Sequence, residues 1–342
     1  MGEIDQVRDW LARRREASDS KLQTLVARLD EAKKFAGDNA CVYVTGSFGR
    51  REASERSDLD LFIVGESREI LNAETNEKER LPRLRNLDGI RLKAKLIEAA
   101  EAAGLPEFDS DGEYLESYVV EDLVQTLGRR EDDAANTFTA RLLLLLESRP
   151  LLSSNVYDTC IDRVLAKYWR DAKDHPNFNP AFLANDILRL WRTFCVNYEA
   201  KTKDEPDDEK AKRKLKNFKL KHSRMLTCYS ALAYMLALFT RNDTFSVDDA
   251  RAMVKRTPTE RLENLLDDER FGVAHEPIGA VLRFYQEFLV TTDTDKESLL
   301  ESFQKAEEAR QMNDKANRIG DEMLKVLEAL GKGSSLYRMI VV

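Results

Sequence analysis

The 342-residue sequence is poor in the features that mark several protein classes. Its four cysteines, Cys41, Cys160, Cys195 and Cys228, lie far apart, with no Cys-x-x-Cys pair and no histidine at metal-ligand spacing. Neither a disulfide framework nor a zinc site is indicated, and all four read as buried thiols. The three histidines, His175, His222 and His275, stand apart in sequence and read as structural. No apolar run is long enough for a membrane span: Leu226 to Thr240 is about 15 residues against the ~20 required, and it contains Thr227, Ser230 and two tyrosines. The first ten residues carry charge instead of an apolar core, which excludes a secretory signal there and leads us to expect a cytoplasmic location. Repeats and low-complexity tracts are absent.

What is present describes a helix-rich globular chain: 42% hydrophobic and 34% charged residues, with only 14 glycines and 8 prolines. A net charge of −8 argues against a surface that grips nucleic acid throughout. Two local basic clusters remain, Arg83, Arg85, Arg91, Lys93 and Lys95, and then Lys212, Arg213, Lys214, Lys216, Lys219 and Lys221. The length suits two domains. Apolar residues from Ile4 to about Ala36 recur at helical intervals. The β-branched and aromatic runs Cys41 to Thr45 and Leu59 to Val64 read as strands. A helix over Leu84 to Ala103 stops at Gly104, and Glu107 to Asp109 and Tyr114 to Val120 are further strand candidates. Beyond Asp133 the pattern is helical throughout, with segments near 135–148, 155–173, 180–203, 209–241, 246–255, 258–268, 276–291 and 295–330. The last, long and polar, reads as a surface helix. The predicted organisation is α+β: a catalytic domain over 1–133, with a mixed sheet and flanking helices, and an all-α domain over 134–342.

Between the first two strands lies Gly46-Ser47-Phe48-Gly49-Arg50, followed by Ser57-Asp58-Leu59-Asp60-Leu61. A glycine lets backbone approach a phosphate closely, while the Ser47 hydroxyl and nearby N–H groups donate to its oxygens. Asp58 and Asp60, one residue apart, face the same way in extended chain, and Leu59 and Leu61 face the core. Two such carboxylates are able to share divalent cations, as phosphoryl-group transfer requires. An isolated Gly-Ser is common in turns and an isolated Asp-x-Asp is common at strand ends; their joint occurrence between two strands is what points to function.

This pattern resembles the DNA polymerase β-like nucleotidyltransferases, whose Gly-Ser and Asp-x-Asp signature matches residues 46–60. It looks closest to bacterial members such as the PII-protein uridylyltransferases and small bacterial nucleotidyltransferases. The resemblance implies a mixed-sheet fold and metal-dependent transfer of an NMP from an NTP, ATP among them, to a hydroxyl of a protein, an RNA 3′ end or a small molecule. Asp58 and Asp60 would bind Mg²⁺ or Mn²⁺, and Gly46, Ser47, Gly49 and Arg50 the nucleotide. Second-messenger synthases of the superfamily often carry a Thr-rich segment where this chain has Arg50-Arg51-Glu52-Ala53-Ser54, which disfavours that activity. Active members usually add a third carboxylate from a later strand. Candidates are Glu107, Asp109, Glu113, Glu116 and the pair Glu121-Asp122, with Asp109 preferred and a simple turn at Asp109 to Gly112 as the competing reading. Without that group the chain would be a nucleotide-binding regulatory or toxin-partner protein. Helical domains of the superfamily often send a Lys and a Ser to the triphosphate; Lys219 and Ser223, on one helical face with Lys216, fit that role, against the alternative of an exposed basic face. Asp186, Arg189, Thr193 and Asn197 form a polar stripe suited either to a cleft or to solvent.

Overall fold

The computed structural model describes residues 2–71, 76–108, 115–175, 177–200 and 207–342. It contains two compact units, Arg14–Lys167 and Met1–Arg13 with Tyr168–Val342. The first is built from α1 (Glu3–Val26, which begins in the other unit), α2 (Asp30–Ala36), β1 (Ala40–Val44), α3 (Gly46–Gly49), β2 (Leu61–Gly65), β3 (Ser67–Leu71), β4 (Lys78–Pro82), α4 (Asn86–Ala102), β5 (Ser117–Val119), α5 (Val120–Gln125), α6 (Glu131–Ala134), α7 (Thr137–Leu146), β6 (Arg149–Leu152) and α8 (Ser154–Tyr168).

A mixed sheet in the order β5-β2-β1-β6 organises this unit. β1 runs antiparallel to both neighbours, while β2 and β5 are parallel. Alternation along the strands divides the side chains between two layers. Val42, Val44, Leu61, Ile63 and the adjoining Leu115 enter a core with Leu22 and Leu25 of α1, Ala32 and Ala36 of α2, and Leu92 and Leu96 of α4. On the other face Tyr43 stacks on Phe62, with centroids 5.5 Å apart, and Phe62 meets Tyr118 at 6.1 Å. Tyr157 of α8 packs against the same Tyr43 ring, whose hydroxyl donates to the Ala140 carbonyl of α7.

The chain divides at Lys167/Tyr168 where 133/134 was expected, because α7, β6 and α8 complete the sheet layer. β6 contains Pro150, which reads in sequence as a break. It is tolerated because β6 is an edge strand and proline lacks only one donor to the ladder. A second difference is the exposed hairpin of β3 and β4, whose charged sequence gives little strand signal. α6 and α7 are joined by a fully buried ion pair: Arg141 donates to both Asp132 oxygens at 2.9 and 2.6 Å, and Thr137 donates to Asp132 at 2.9 Å.

The other unit is helical among its described residues. It contains α9 (Ala181–Ala200), α10 (Asp207–Lys219), α11 (Met225–Asn242), α12 (Val247–Val254), α13 (Pro258–Leu266), α14 (His275–Thr292), α15 (Lys296–Gln304), α16 (Ala306–Gly331) and α17 (Ser335–Val341). The long apolar run of the sequence is α11, buried nearly all round, as expected for a central helix. No described helix is long and apolar enough to cross a membrane. The final polar segment is two helices rather than one, broken at Lys305, whose backbone is extended. α16 also contributes to the core through Ile319, Met323, Val326, Leu327 and Leu330. Between α10 and α11 the helix widens into a π turn, Leu220–Arg224.

Candidate active site

β1 delivers the chain to Thr45, whose N–H donates to the Asp60 carbonyl at 2.9 Å and prolongs the β1-β2 pairing by one bond. The chain then turns sharply into α3. Gly46 has φ +62°, and a Cβ there would overlap Asp60 Oδ2, so a carboxylate oxygen occupies the space that glycine leaves. A side chain at this position is disfavoured by conformation and would have to displace the Asp60 carboxylate. Ser47 is half-buried at the start of α3, and Phe48 anchors the turn in the core.

β2 begins at Leu61, so Asp58 and Asp60 lie just ahead of the strand instead of within it. The predicted alternation nevertheless holds. Leu59 and Leu61 are core, Asp58 is exposed and Asp60 is half-buried. Asp58 and Asp60 are hard oxygen donors of the kind divalent cations take, and Asp60 is set against the Gly46 backbone. Among the described residues no group of three or more His, Cys, Asp or Glu side chains gathers into a metal site.

The preferred third carboxylate, Asp109, lies outside the described residues, as does Glu113. Glu107 is exposed in the segment after α4. Glu121 is committed elsewhere: it accepts from the Ser67 N–H at 3.2 Å and from Arg163 at 2.7 Å. Burial alone would raise its pKa, but these partners outweigh burial and lower it. Asp122 is exposed on α5. Glu116 directly precedes β5. Tyr118 pairs with Val64, and alternation therefore puts Glu116 on the Phe62 side of the sheet, the side of Asp60, opposite the buried Leu115.

Other sequence candidates have structural engagements. Arg50, expected on the nucleotide, is only 7% exposed, and it donates from Nε to Glu52 and from Nη1 to Glu147, each at 2.8 Å. Gly49 packs against the Glu147 carbonyl, which a Cβ would overlap. Arg149 and Arg51 share Asp19 of α1, Arg149 at 2.6 Å. Burial raises the Asp19 pKa, but the two guanidiniums prevail and hold it below the ordinary value. Glu147 and Asp19 carry no local sequence signal; one lies 97 residues from Arg50 and the other 32 from Arg51.

In the helical unit, Lys219 is exposed at the end of α10, and Ser223 lies in the π turn, 8% exposed. Lys221 donates to Asn313 and Asn317 of α16, each at 3.2 Å. Asp186 is buried and accepts from the Tyr168 hydroxyl at 2.6 Å, whereas Arg189, Thr193 and Asn197 line an open groove with Leu188, Val196 and residues of α17.

A strand, a glycine turn into a short helix, and a second strand preceded by paired aspartates define a nucleotide-handling mixed-sheet domain. Its family follows from comparison: residues 26–121 match the nucleotidyltransferase domain, and this part of the chain is a nucleotidyltransferase domain of the polymerase β-like superfamily. No curated protein and no solved structure matches the chain.

Proposed function

We propose that the protein transfers an NMP unit from an NTP to a hydroxyl acceptor and releases pyrophosphate. The observation that carries this is the placement of Asp60 against Gly46, with Asp58 exposed on the same side of the chain. These two aspartates would hold divalent cations, which when bound supply positive charge to the triphosphate and to the leaving pyrophosphate. Backbone N–H groups at the start of α3 and the Ser47 hydroxyl donate to phosphate oxygens. The acceptor oxygen bonds to the α-phosphorus, the bond from that phosphorus to the bridging oxygen breaks, and the acceptor proton passes to a carboxylate. Asp109 is our assignment for that base, with Glu116 second because of its place on the sheet. Lys219 and Ser223 of the helical unit remain candidates for nucleotide binding, and acceptor recognition is assigned to that unit.

Incubating the protein with α-labelled NTPs and cell lysate, then treating with RNase or protease, identifies the acceptor. Label lost with RNase marks an RNA end, label lost with protease marks a protein, and label surviving both marks a small molecule. An absence of label in every fraction, with NTP still bound, would favour a binding protein over a transferase.

A further inference from the structure

The segment that follows the Gly-Ser pair is fastened by more charged contacts than its length requires. Arg50, Glu52 and Glu147 are 7%, 4% and 2% exposed, and the Arg50 fork joins the two carboxylates. Glu147 contributes twice, since its carbonyl also abuts Gly49. The Glu52 N–H donates to the Ser47 carbonyl at 2.8 Å, so the same cluster fixes Ser47. Arg14 donates to the Glu52 carbonyl at 2.8 Å, and the Ala53 N–H donates to the buried Ser18 hydroxyl at 3.2 Å. Arg51 holds a left-handed conformation, φ +62°, while its guanidinium grips Asp19.

For stability alone this is a poor arrangement. Apolar residues of similar volume often replace buried ion pairs without loss, and a left-handed residue with a side chain is disfavoured. Strain and buried charge persist together where the surroundings over-determine a backbone that must have one shape. Here that backbone starts at Gly46-Ser47, whose donors must already stand within ~0.5 Å of their working positions when phosphate arrives.

We propose that Arg50 and Glu147 are positioning residues: their buried ion pair holds the Gly46–Gly49 turn in its phosphate-binding shape without touching the nucleotide. This rests on the nucleotidyl-transfer reading above. Arginine is required because its planar fork spans two carboxylates, which a lysine ammonium on a flexible stem does not reproduce.

The test uses the full chain, wild type and the variants Arg50→Lys and Glu147→Gln. Binding is measured by calorimetry with Mg²⁺ and the αβ-methylene analogues of the four NTPs, and with the matching nucleosides. Amide exchange is followed over residues 46–53, β1 and β2. In either variant, NTP-analogue affinity falls about tenfold or more, because misplaced donors bind poorly, while nucleoside affinity is unchanged. Exchange in 46–53 accelerates to a similar degree, and β1 and β2 keep their protection. If one variant does not fold, the other carries the test. Wild-type affinity and unaltered exchange in a folded variant would overturn the positioning role alone. A wild-type protein that binds none of the four analogues would overturn the nucleotidyl-transfer reading, and the positioning role with it.

Discussion

Asp58 and Asp60 stand at the open end of β2, whereas Glu52 and Glu147 are buried around the guanidinium of Arg50. The two pairs carry equal charge and belong to the same unit, yet burial gives them different work. A carboxylate sunk against arginine has its charge offset in part, here by one guanidinium shared between two carboxylates, and its geometry fixed, so it shapes the chain. Asp58 is exposed and Asp60 is half-buried against the Gly46 backbone, so this pair is more open to solvent than the other. The turn at Gly46 therefore joins a buried, ion-paired side to a more open side.

The sharpest way to break this contrast is to neutralise one member of the open pair. Asp60→Asn is expected to lower the rate of NMP transfer by about 10³-fold, with the melting temperature unchanged, since the lost charge serves the transition state rather than the fold. Label transfer and thermal melting measured on one preparation check both halves. Neutralising a buried carboxylate should do the reverse. Asp132→Ala removes the carboxylate that pairs with the fully buried Arg141 guanidinium and should cost about 3–5 kcal/mol in urea unfolding, while NTP affinity of the folded protein is retained. Equal effects of the two substitutions on stability would erase the distinction.

Titration extends the comparison to the helical unit with a smaller effect. His222 is buried in the π turn, its ring stacked on Phe288 at 4.5 Å, and its Nδ1 lies 2.7 Å from the Phe218 carbonyl. Burial, helped by Lys221 and Lys315 and opposed by that carbonyl, pushes its pKa down from 6.5 to about 4. The unfolded chain thus binds the proton more readily between these values. Stability is complete above pH 6.5 and falls as pH drops toward 4, by about 1.4 kcal/mol per unit at most. Urea unfolding at a series of pH values should show this slope, and His222→Phe should flatten it.

How much of this was legible in the sequence follows from the range of each interaction. Gly46, Ser47, Asp58 and Asp60 sit in one short stretch between two apolar runs, so their pattern, and with it the superfamily, was readable from local spacing. β6 was hidden because Pro150 breaks a local pattern, and only its pairing with β1 makes it a strand. The two ends of β2 show the limit within a single element: alternation through Leu59 and Leu61 was predictable, but the start of pairing at Leu61 depends on β1. Arg50 invites a phosphate role because it follows Gly-Ser, and of its two carboxylate partners Glu147 is remote in sequence. Buried networks of this kind are set by tertiary contact and leave no periodicity to detect.

The most direct test of the central claim is a pair of reactions with NTP labelled at the α- or the γ-phosphate, run with wild-type protein and Mg²⁺. Transfer of the α label to an acceptor, with the γ label recovered in pyrophosphate, is the predicted result. Transfer of the γ label, or its release as inorganic phosphate without α-label transfer, would contradict the account.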